Sequence, residues 1–315
     1  MNERNFAVFI LTHGRADSVY TFKTLREQGY TGKIYLFCDN EDKQINKYKN
    51  LYGTDTVIVF NKQDAMDITD SGDNFKKRNS VVFARNLNFK VASDLCLTHF
   101  WQLDDDYTRF DYSLNAEMQY TTSNNKIGKL DDLLEAMMDF LDTTPFHSIA
   151  FAQGGDFIGG QDCTLLTRMR KDEIYRKVMN SFLFRTDRPV QFMGRMNDDV
   201  NMYVEHGRRG VLLMTTPQLR LQQKVTQQDA GGMTETYIDL GTYVKSFYSV
   251  MYSPSSVKIS ELGTTDRRIH HQVVWKYAVP KILDESHRKP KVLSRITSTV
   301  QNNYDNKKPA HDKNA

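Results

Sequence analysis

A mixed α/β fold, with a mostly parallel sheet flanked by helices, is the architecture this 315-residue sequence predicts. Three observations carry it. Apolar, partly β-branched runs of strand length recur at residues 6–11, 33–38 and 56–60. Amphipathic helical segments separate them, the alternation that puts strands side by side in one parallel sheet. The first two runs stop abruptly at polar positions, Thr12-His13-Gly14-Arg15 and Asp39-Asn40.

The elements follow in chain order. Residues 18–28 read as a helix, with Val19, Phe22 and Leu25 on one face and Gly29 as a stop. A second helix fits 41–51. Residues 61–78 are polar and rich in turn formers, and read as a loop. Residues 79–98 read as a helix with Val82, Leu87, Val91 and Leu95 inward. A strand follows, then Asp104-Asp105-Asp106. Residues 129–141 form another amphipathic helix, closed by Pro145; 148–152 is a strand, and 154–160 a glycine-rich loop. Beyond it, 187–210 should hold a strand and a helix, 211–214 a strand and 234–251 a helix. Residues 269–282 mix aromatic, basic and apolar side chains. A polar tail, 300–315, reads as disordered.

Composition narrows the class. At 39% hydrophobic residues and 11% aromatic, the chain is rich enough to fold around a sizeable core. A formal net charge of +3 permits a polyanionic partner without demanding one. The three cysteines, Cys38, Cys96 and Cys163, are odd in number and far apart. They show neither metal spacing nor a disulfide framework, which favours a reducing compartment. No apolar run approaches membrane-spanning length, and the run at 6–11 is too short for a signal peptide. The expectation is a soluble cytoplasmic protein with no membrane partner.

The acidic triplet is the strongest chemical signal. In an extended chain Asp104 and Asp106 point to one side and Asp105 to the other. Two carboxylates beside phosphate oxygens suit Mg²⁺ or Mn²⁺. A solvated acidic turn is the plain alternative, weakened by the company the triplet keeps. Ligands of open α/β sheets bind at the carboxyl ends of strands, and three such ends here carry Thr12 and Arg15, Asp39, and the triplet. Thr12 as a helix cap and Asp39-Asn40 as a turn are the structural alternatives. Arg85-Asn86, on the helix before the triplet, could be a solvated face or could reach nucleotide phosphates or base.

Taken together, strand-Thr-x-x-Arg, strand-Asp, a helix with Ala84-Arg85-Asn86 and a strand ending in Asp104-Asp105-Asp106 resemble the donor half of GT-A glycosyltransferases, over about residues 5–110. Leu11-Thr12-His13-Gly14-Arg15, Gly29-Tyr30 and residues 35–41 are most similar to phage TET-associated glycosyltransferases, which are proposed to glycosylate hydroxymethylated pyrimidines in phage DNA. Beyond residue 110 the likeness rests on Asn197-Asp198-Asp199 and Arg268-Ile269-His270-His271.

That resemblance implies a GT-A type, Rossmann-like sheet with a smaller acceptor-side region. It implies residues 1–150 as the nucleotide-sugar half and 151–299 as the acceptor-binding, catalytic half of one domain. It points to Thr12, Arg15, Asp39, Arg85, Asn86, Asp104 and Asp105 for a nucleotide sugar, a UDP-sugar by preference. Asp104 and Asp106, with His270 or His271, are implied for Mn²⁺ or Mg²⁺. Asp198 or Asp199 is implied as general base if the transfer inverts; a helix cap is the alternative for that pair. Basic groups at Lys76-Lys77-Arg78, Arg208-Arg209, Arg267-Arg268 and His287-Arg288-Lys289 suit DNA phosphates if they share a face. The acceptor expected is a 5-hydroxymethylpyrimidine in DNA, the protein lying in host cytoplasm if phage-encoded. The same enzyme acting on a polysaccharide, lipid or protein, and a non-catalytic DNA-binding scaffold, are the competing readings.

Overall fold

The computed structural model describes residues 4–74, 78–123, 125–171, 180–224, 243–262 and 268–280. Its first three strands are β1 (Phe6–Leu11), β2 (Lys33–Asp39) and β3 (Val57–Phe60), linked by α1 (Tyr20–Glu27) and α2 (Ile45–Tyr52). Then come α3 (Lys62–Asp67), α4 (Val82–Asp94), β4 (His99–Asp104), β5 (Tyr107–Tyr112), α5 (Leu130–Thr143) and β6 (Ser148–Gln153). The later elements are α6 (Thr164–Met169), β7 (Ser181–Arg185), α7 (Asp198–Arg208), β8 (Leu213–Gln223), α8 (Val244–Tyr252), β9 (Val257–Leu262), β10 (Arg268–Val273) and α9 (Trp275–Ala278).

Eight strands form one sheet in the order β3-β2-β1-β4-β7-β6-β8-β5. Pairs β3/β2, β2/β1, β1/β4 and β6/β8 are parallel, and β4/β7, β7/β6 and β8/β5 antiparallel. The expected mixed α/β class with a mostly parallel sheet therefore holds. Because β7 lies between β4 and β6, the later part of the chain is woven directly into the earlier part. A separate hairpin pairs β9 with β10.

Helices cover both faces, which is why β1 and β4 read as continuous apolar runs instead of alternating ones. Period two still decides which layer each residue joins. Phe9 and Leu11 enter the core layer with α4 and α7, whereas Val8 and Ile10 enter the layer with α1 and α5. On the first face a row of phenylalanines crosses five adjacent strands: Phe60, Phe37, Phe9, Phe100 and Phe184, with ring centroids 5.1–5.7 Å apart. Phe89 of α4 stands edge-on to Phe100 at 4.9 Å. Gly29 ends α1 with φ +87°, where an added Cβ would lie 2.6 Å from the Gly128 carbonyl oxygen, so the α1 stop packs against the entrance to α5.

Several expectations need correction. Residues 61–78 are not all loop: α3 forms there because Asn61 accepts the Gln63 N–H at 2.9 Å as an N-cap. A helix of KQDAMD has too little apolar periodicity to announce itself. The strand expected within 187–210 lies earlier, at Ser181–Arg185. The strand expected at 211–214 runs on to Gln223, because Pro217 is absorbed at a register shift between β8 and β6. β5 and α6 were not expected. Within 234–251 only the last turns, from Val244, lie among the described residues, and the tail 300–315 lies outside them. No helix of the described residues is long and apolar enough to cross a membrane.

Truncating the centre of the phenylalanine row tests this account. Phe100→Ala should cost about 3–5 kcal/mol in urea unfolding, while Leu51→Ala, 55% exposed, should stay within about 0.5 kcal/mol. Equal effects would show that the row is not central to stability.

Candidate active site

Three strand ends and one helix start converge on the carboxyl edge of the sheet. β4 ends at Asp104, and the chain turns through Asp105 and Asp106 before β5 begins. Helix α1 holds this turn by its backbone. Thr21 Oγ1 donates to the Asp104 carbonyl at 2.6 Å and accepts the Tyr107 N–H at 2.9 Å, and the Thr21 N–H donates to the Asp105 carbonyl at 3.2 Å. The Lys224 N–H closes the other side on the Asp106 carbonyl at 3.1 Å.

The three carboxylates take different surroundings. Asp105 is buried against the loop after β1: Thr12 Oγ1 donates to it at 2.7 Å and Arg15 Nη1 at 3.0 Å. Asp104 turns to Arg85, whose Nη2 lies at 3.3 Å. The carboxylate of Asp106 meets no side-chain hydrogen bond or ion pair among the described residues. Burial, then the charges of Asp104 and Asp105, push the Asp106 carboxyl up to about 7. Burial also raises Asp104 and Asp105, against the opposing pull of Arg85 and Arg15 respectively.

At the end of β2, Asp39 is enclosed as well. His13 Nδ1 donates to it at 2.8 Å, the Glu41 N–H at 3.0 Å, and the Lys62 ammonium lies at 3.2 Å. Burial works to raise Asp39, but the His13 hydrogen bond and the Lys62 charge outweigh it and hold the carboxyl below its usual range. The same hydrogen bond raises His13. Gly14 and Arg15 are pinned through their N–H groups to Asp42 and the Tyr48 hydroxyl, each at 2.8 Å. The loop after β1 is thus fixed from beneath by α2.

Helix α7 brings in the second acidic pair. Asn197 precedes it in the left-handed region, φ +54°, and its amide donates to the Lys245 carbonyl, to Ser249 Oγ and toward His271 Nδ1 at 3.0–3.1 Å. Asp198 and Asp199 are both buried in the first turn. Arg85 Nη1 donates to Asp198 at 2.9 Å, and Asp199 Oδ1 accepts the Val200 N–H at 2.8 Å. Burial raises Asp198, with Asp199 and Asp104 adding to it and Arg85 opposing. Arg85 therefore contacts the β4 and the α7 carboxylates at once.

Arg15, Thr12 and Asp105 thus meet directly, as do Arg85, Asp104 and Asp198. Asn86 instead bonds the backbone of Phe192 in both directions, at 2.8 and 2.9 Å, and Thr69 at 3.0 Å. His270 and His271 lie on β10, in the hairpin with β9. Among the described residues no three His, Cys, Asp or Glu side chains come together as a metal group, because the β9–β10 hairpin packs on α8 and turns His271 toward Asn197. Of the basic positions, Arg78 pairs with Glu41, and Arg208 and Arg209 both pair with Glu205. Lys76, Lys77, Arg267, His287, Arg288 and Lys289 lie outside the described residues.

With this geometry in place the relatives can be compared. A family model described as TET-Associated Glycosyltransferase matches residues 6–232. The chain belongs to that family. It is a glycosyltransferase. No curated protein matches it. Solved structures do. One is glucosyl-3-phosphoglycerate synthase from Mycobacterium tuberculosis with Mn²⁺, UDP and phosphoglyceric acid, at 8% identity and TM-score 0.45, covering 86% of this chain and 87% of that one. Another is the same synthase with Mn²⁺ and UDP-glucose, at 7% identity and TM-score 0.44, with 86% and 87% covered. A third is the mannosyltransferase PcManGT from Pyrobaculum calidifontis with GDP-Man and Mn²⁺, at 11% identity and TM-score 0.43, with 80% and 74% covered. Likeness at this level transfers no residue role to the glycosyltransferase described here.

Sequence reasoning missed several residues of this site. Lys62 is a buried lysine in a stretch read as loop. Thr21 sits in the first turn of α1, among residues with no catalytic signature. Tyr107 follows the triplet directly, and its hydroxyl donates to the Asn180 carbonyl. Only Tyr107 carried a sequence signal, through adjacency. Asp73 and Arg195, a buried pair at 2.9 Å that ties 70–73 to the segment before α7, carried none.

The raised Asp106 has a thermodynamic consequence. Between its ordinary value of 3.8 and about 7 the folded state binds a proton that the unfolded state has released. Stability should therefore fall as pH rises through that window. Asp106→Asn should flatten the fall in chelator-treated protein, read from urea midpoints at pH 4.5 and pH 7.5. An unchanged slope would place the titration elsewhere.

Proposed function

We propose that this glycosyltransferase moves a sugar from a nucleotide sugar, a UDP-sugar by preference, to a 5-hydroxymethylpyrimidine in DNA, with Mn²⁺ or Mg²⁺ at the acidic turn. The observation that carries this reading is the juxtaposition of the β4 triplet with Asp198-Asp199 in a chain of the TET-associated family. The DNA acceptor is supported by the family description and by the sequence resemblance.

The residues present fit a divalent ion. Among the described residues Asp106 has a carboxylate without a side-chain partner, and Asp104 meets Arg85 through one oxygen. Among the described residues, Arg15 and Arg85 pair with three of the five carboxylates, Asp105, Asp104 and Asp198, which leaves negative charge in excess there. Mg²⁺-type sites use one or two protein carboxylates and complete their shell with water and substrate phosphate, so Asp104 and Asp106 would hold the ion without a histidine. The ion would neutralise charge on the departing diphosphate.

The remaining residues bind, orient and accept the proton. Asp39 with His13, at the end of β2, faces the nucleoside. Thr12 and Arg15 keep Asp105, and so the turn, in register. At the start of α7, Asp198 is engaged by Arg85, whereas Asp199 accepts the Val200 N–H through Oδ1 and meets no ion pair among the described residues. Asp199 is the better placed of the two to take the acceptor hydroxyl proton in an inverting transfer.

Incubation with hydroxymethylated DNA and a panel of UDP-sugars, followed by nucleoside mass spectrometry, should show a sugar mass gain. The gain should vanish with chelator and in Asp106→Ala, whose melting temperature should be unchanged or higher. Asp199→Asn should slow turnover more than Asp198→Asn at equal DNA affinity. That affinity should fall steeply with salt. A saccharide acceptor modified in place of the DNA would overturn the DNA reading, and full activity in chelator would overturn the metal reading.

A further inference from the structure

Arg85 occupies an unusual position for a residue beside a nucleotide-sugar site. Its side chain is 4% exposed and its guanidinium is directed at protein groups. Nη1 donates to Asp198 at 2.9 Å, and Nη2 to Asp104 at 3.3 Å and Asn180 Oδ1 at 3.5 Å. Phe182 and Phe192 lie 5.6 and 5.5 Å from the guanidinium carbon. Nε is buried without a hydrogen-bond partner among the described residues. The guanidinium is therefore oriented by the two carboxylates and the two rings, at the expense of its own third donor site.

The contacts form a closed path. Asp104 meets Arg85, Arg85 meets Asn180, and the Asn180 carbonyl accepts the hydroxyl of Tyr107, three residues on from Asp104. Asp198, at the head of α7, is the branch to the acceptor side. Among the described residues no other ion pair joins the β4 turn to α7. Arg15, the other guanidinium at the triplet, pairs with Asp105 on the opposite flank.

We propose that Arg85 is a positioning residue that ties the donor-side carboxylate Asp104 to the acceptor-side carboxylate Asp198 and sets the separation at which donor and acceptor meet. The inference rests on the metal- and nucleotide-sugar-dependent reading above. It differs from a phosphate-binding arginine in what its loss does. Removing a phosphate contact raises the KM for nucleotide sugar. Removing this bridge frees Asp104 of a competing cation and lets α7 drift, so Mn²⁺ should bind more tightly while turnover falls.

Two variants separate charge from geometry. Arg85→Gln removes both. Arg85→Lys keeps a cation, but a point charge does not span two carboxylates as a planar fork does. Mn²⁺ titration calorimetry on the full chain should give an affinity at least about threefold tighter for Arg85→Gln and near wild type for Arg85→Lys, since the lost ion pair is worth more than about one unit of RT. Both variants should lose about 10²-fold in kcat, the order expected for a misplacement near 1 Å, with the KM for UDP-sugar within about twofold. Adding Asp198→Asn to Arg85→Gln should restore thermal stability lost by the single variant, because the buried unpaired charge is gone. Should Arg85→Gln not fold, the kcat and KM of Arg85→Lys and the stability of the double variant carry the test. A raised KM for UDP-sugar with unchanged Mn²⁺ affinity overturns the positioning role and makes Arg85 a donor contact. Wild-type kcat in Arg85→Lys overturns it too. A wild-type protein that binds no Mn²⁺ overturns the functional reading itself, a distinct failure.

Discussion

Repulsion among the three carboxylates that close β4 is the constraint on which the rest of the site depends. Consecutive aspartates at the end of a buried strand are unfavourable unless each finds a different environment. The fold separates them. Asp105 goes to Thr12 and Arg15 of the first loop, Asp104 to Arg85 of α4, and Asp106 meets no side-chain partner among the described residues. While the side chains diverge, the backbone is held still by Thr21 of α1, which meets Asp104, Asp105 and Tyr107, and by the Lys224 N–H on the Asp106 carbonyl.

The sheet order makes that turn a meeting point for two distant stretches of chain. With β7 inserted antiparallel beside β4, the segment leaving it toward α7 returns across the face that carries α4. Phe182 of β7 and Phe192 on this segment flank Arg85, and Asn86 anchors the segment through the Phe192 backbone. Neighbouring residues of one helix turn thus serve different ends: Asn86 holds the returning chain and Arg85 holds the charges that chain delivers. The same apolar packing that makes the sheet stable excludes water around these ions, which strengthens their interactions and raises the carboxyls that lack a full complement of donors.

Such an arrangement is poor for stability taken alone. A carboxylate with no side-chain partner and a buried guanidinium nitrogen with no acceptor both oppose folding. They persist where the surrounding structure over-determines them, and here the phenylalanine row beneath the strand ends and the pinned loop after β1 do so. Departures of this kind are found at functional sites, and the Arg85 guanidinium nitrogen is one that lies at the carboxyl edge of this sheet.

How much of this was legible before the fold was seen depends on the range of each interaction. Apolar periodicity, strand ends at Thr12 and Asp39, the triplet and the acidic pair before an amphipathic helix are local patterns, and the mixed α/β class follows from them because period and turn chemistry are properties of neighbouring residues. Local reading failed where the signal was weak: α3 rests on one cap, and β8 runs through a proline. Pairings across the chain were out of reach altogether. Nothing in the spacing of Arg85 and Asp198, 113 residues apart, says that they touch, nor that Lys62 lies on Asp39 or Asp73 on Arg195. The sequence by itself determined which groups are present and which edge of the sheet they occupy. Only the tertiary structure decided which carboxylates receive a guanidinium, because long-range ion pairing is set by strand order and helix packing, which no local pattern encodes.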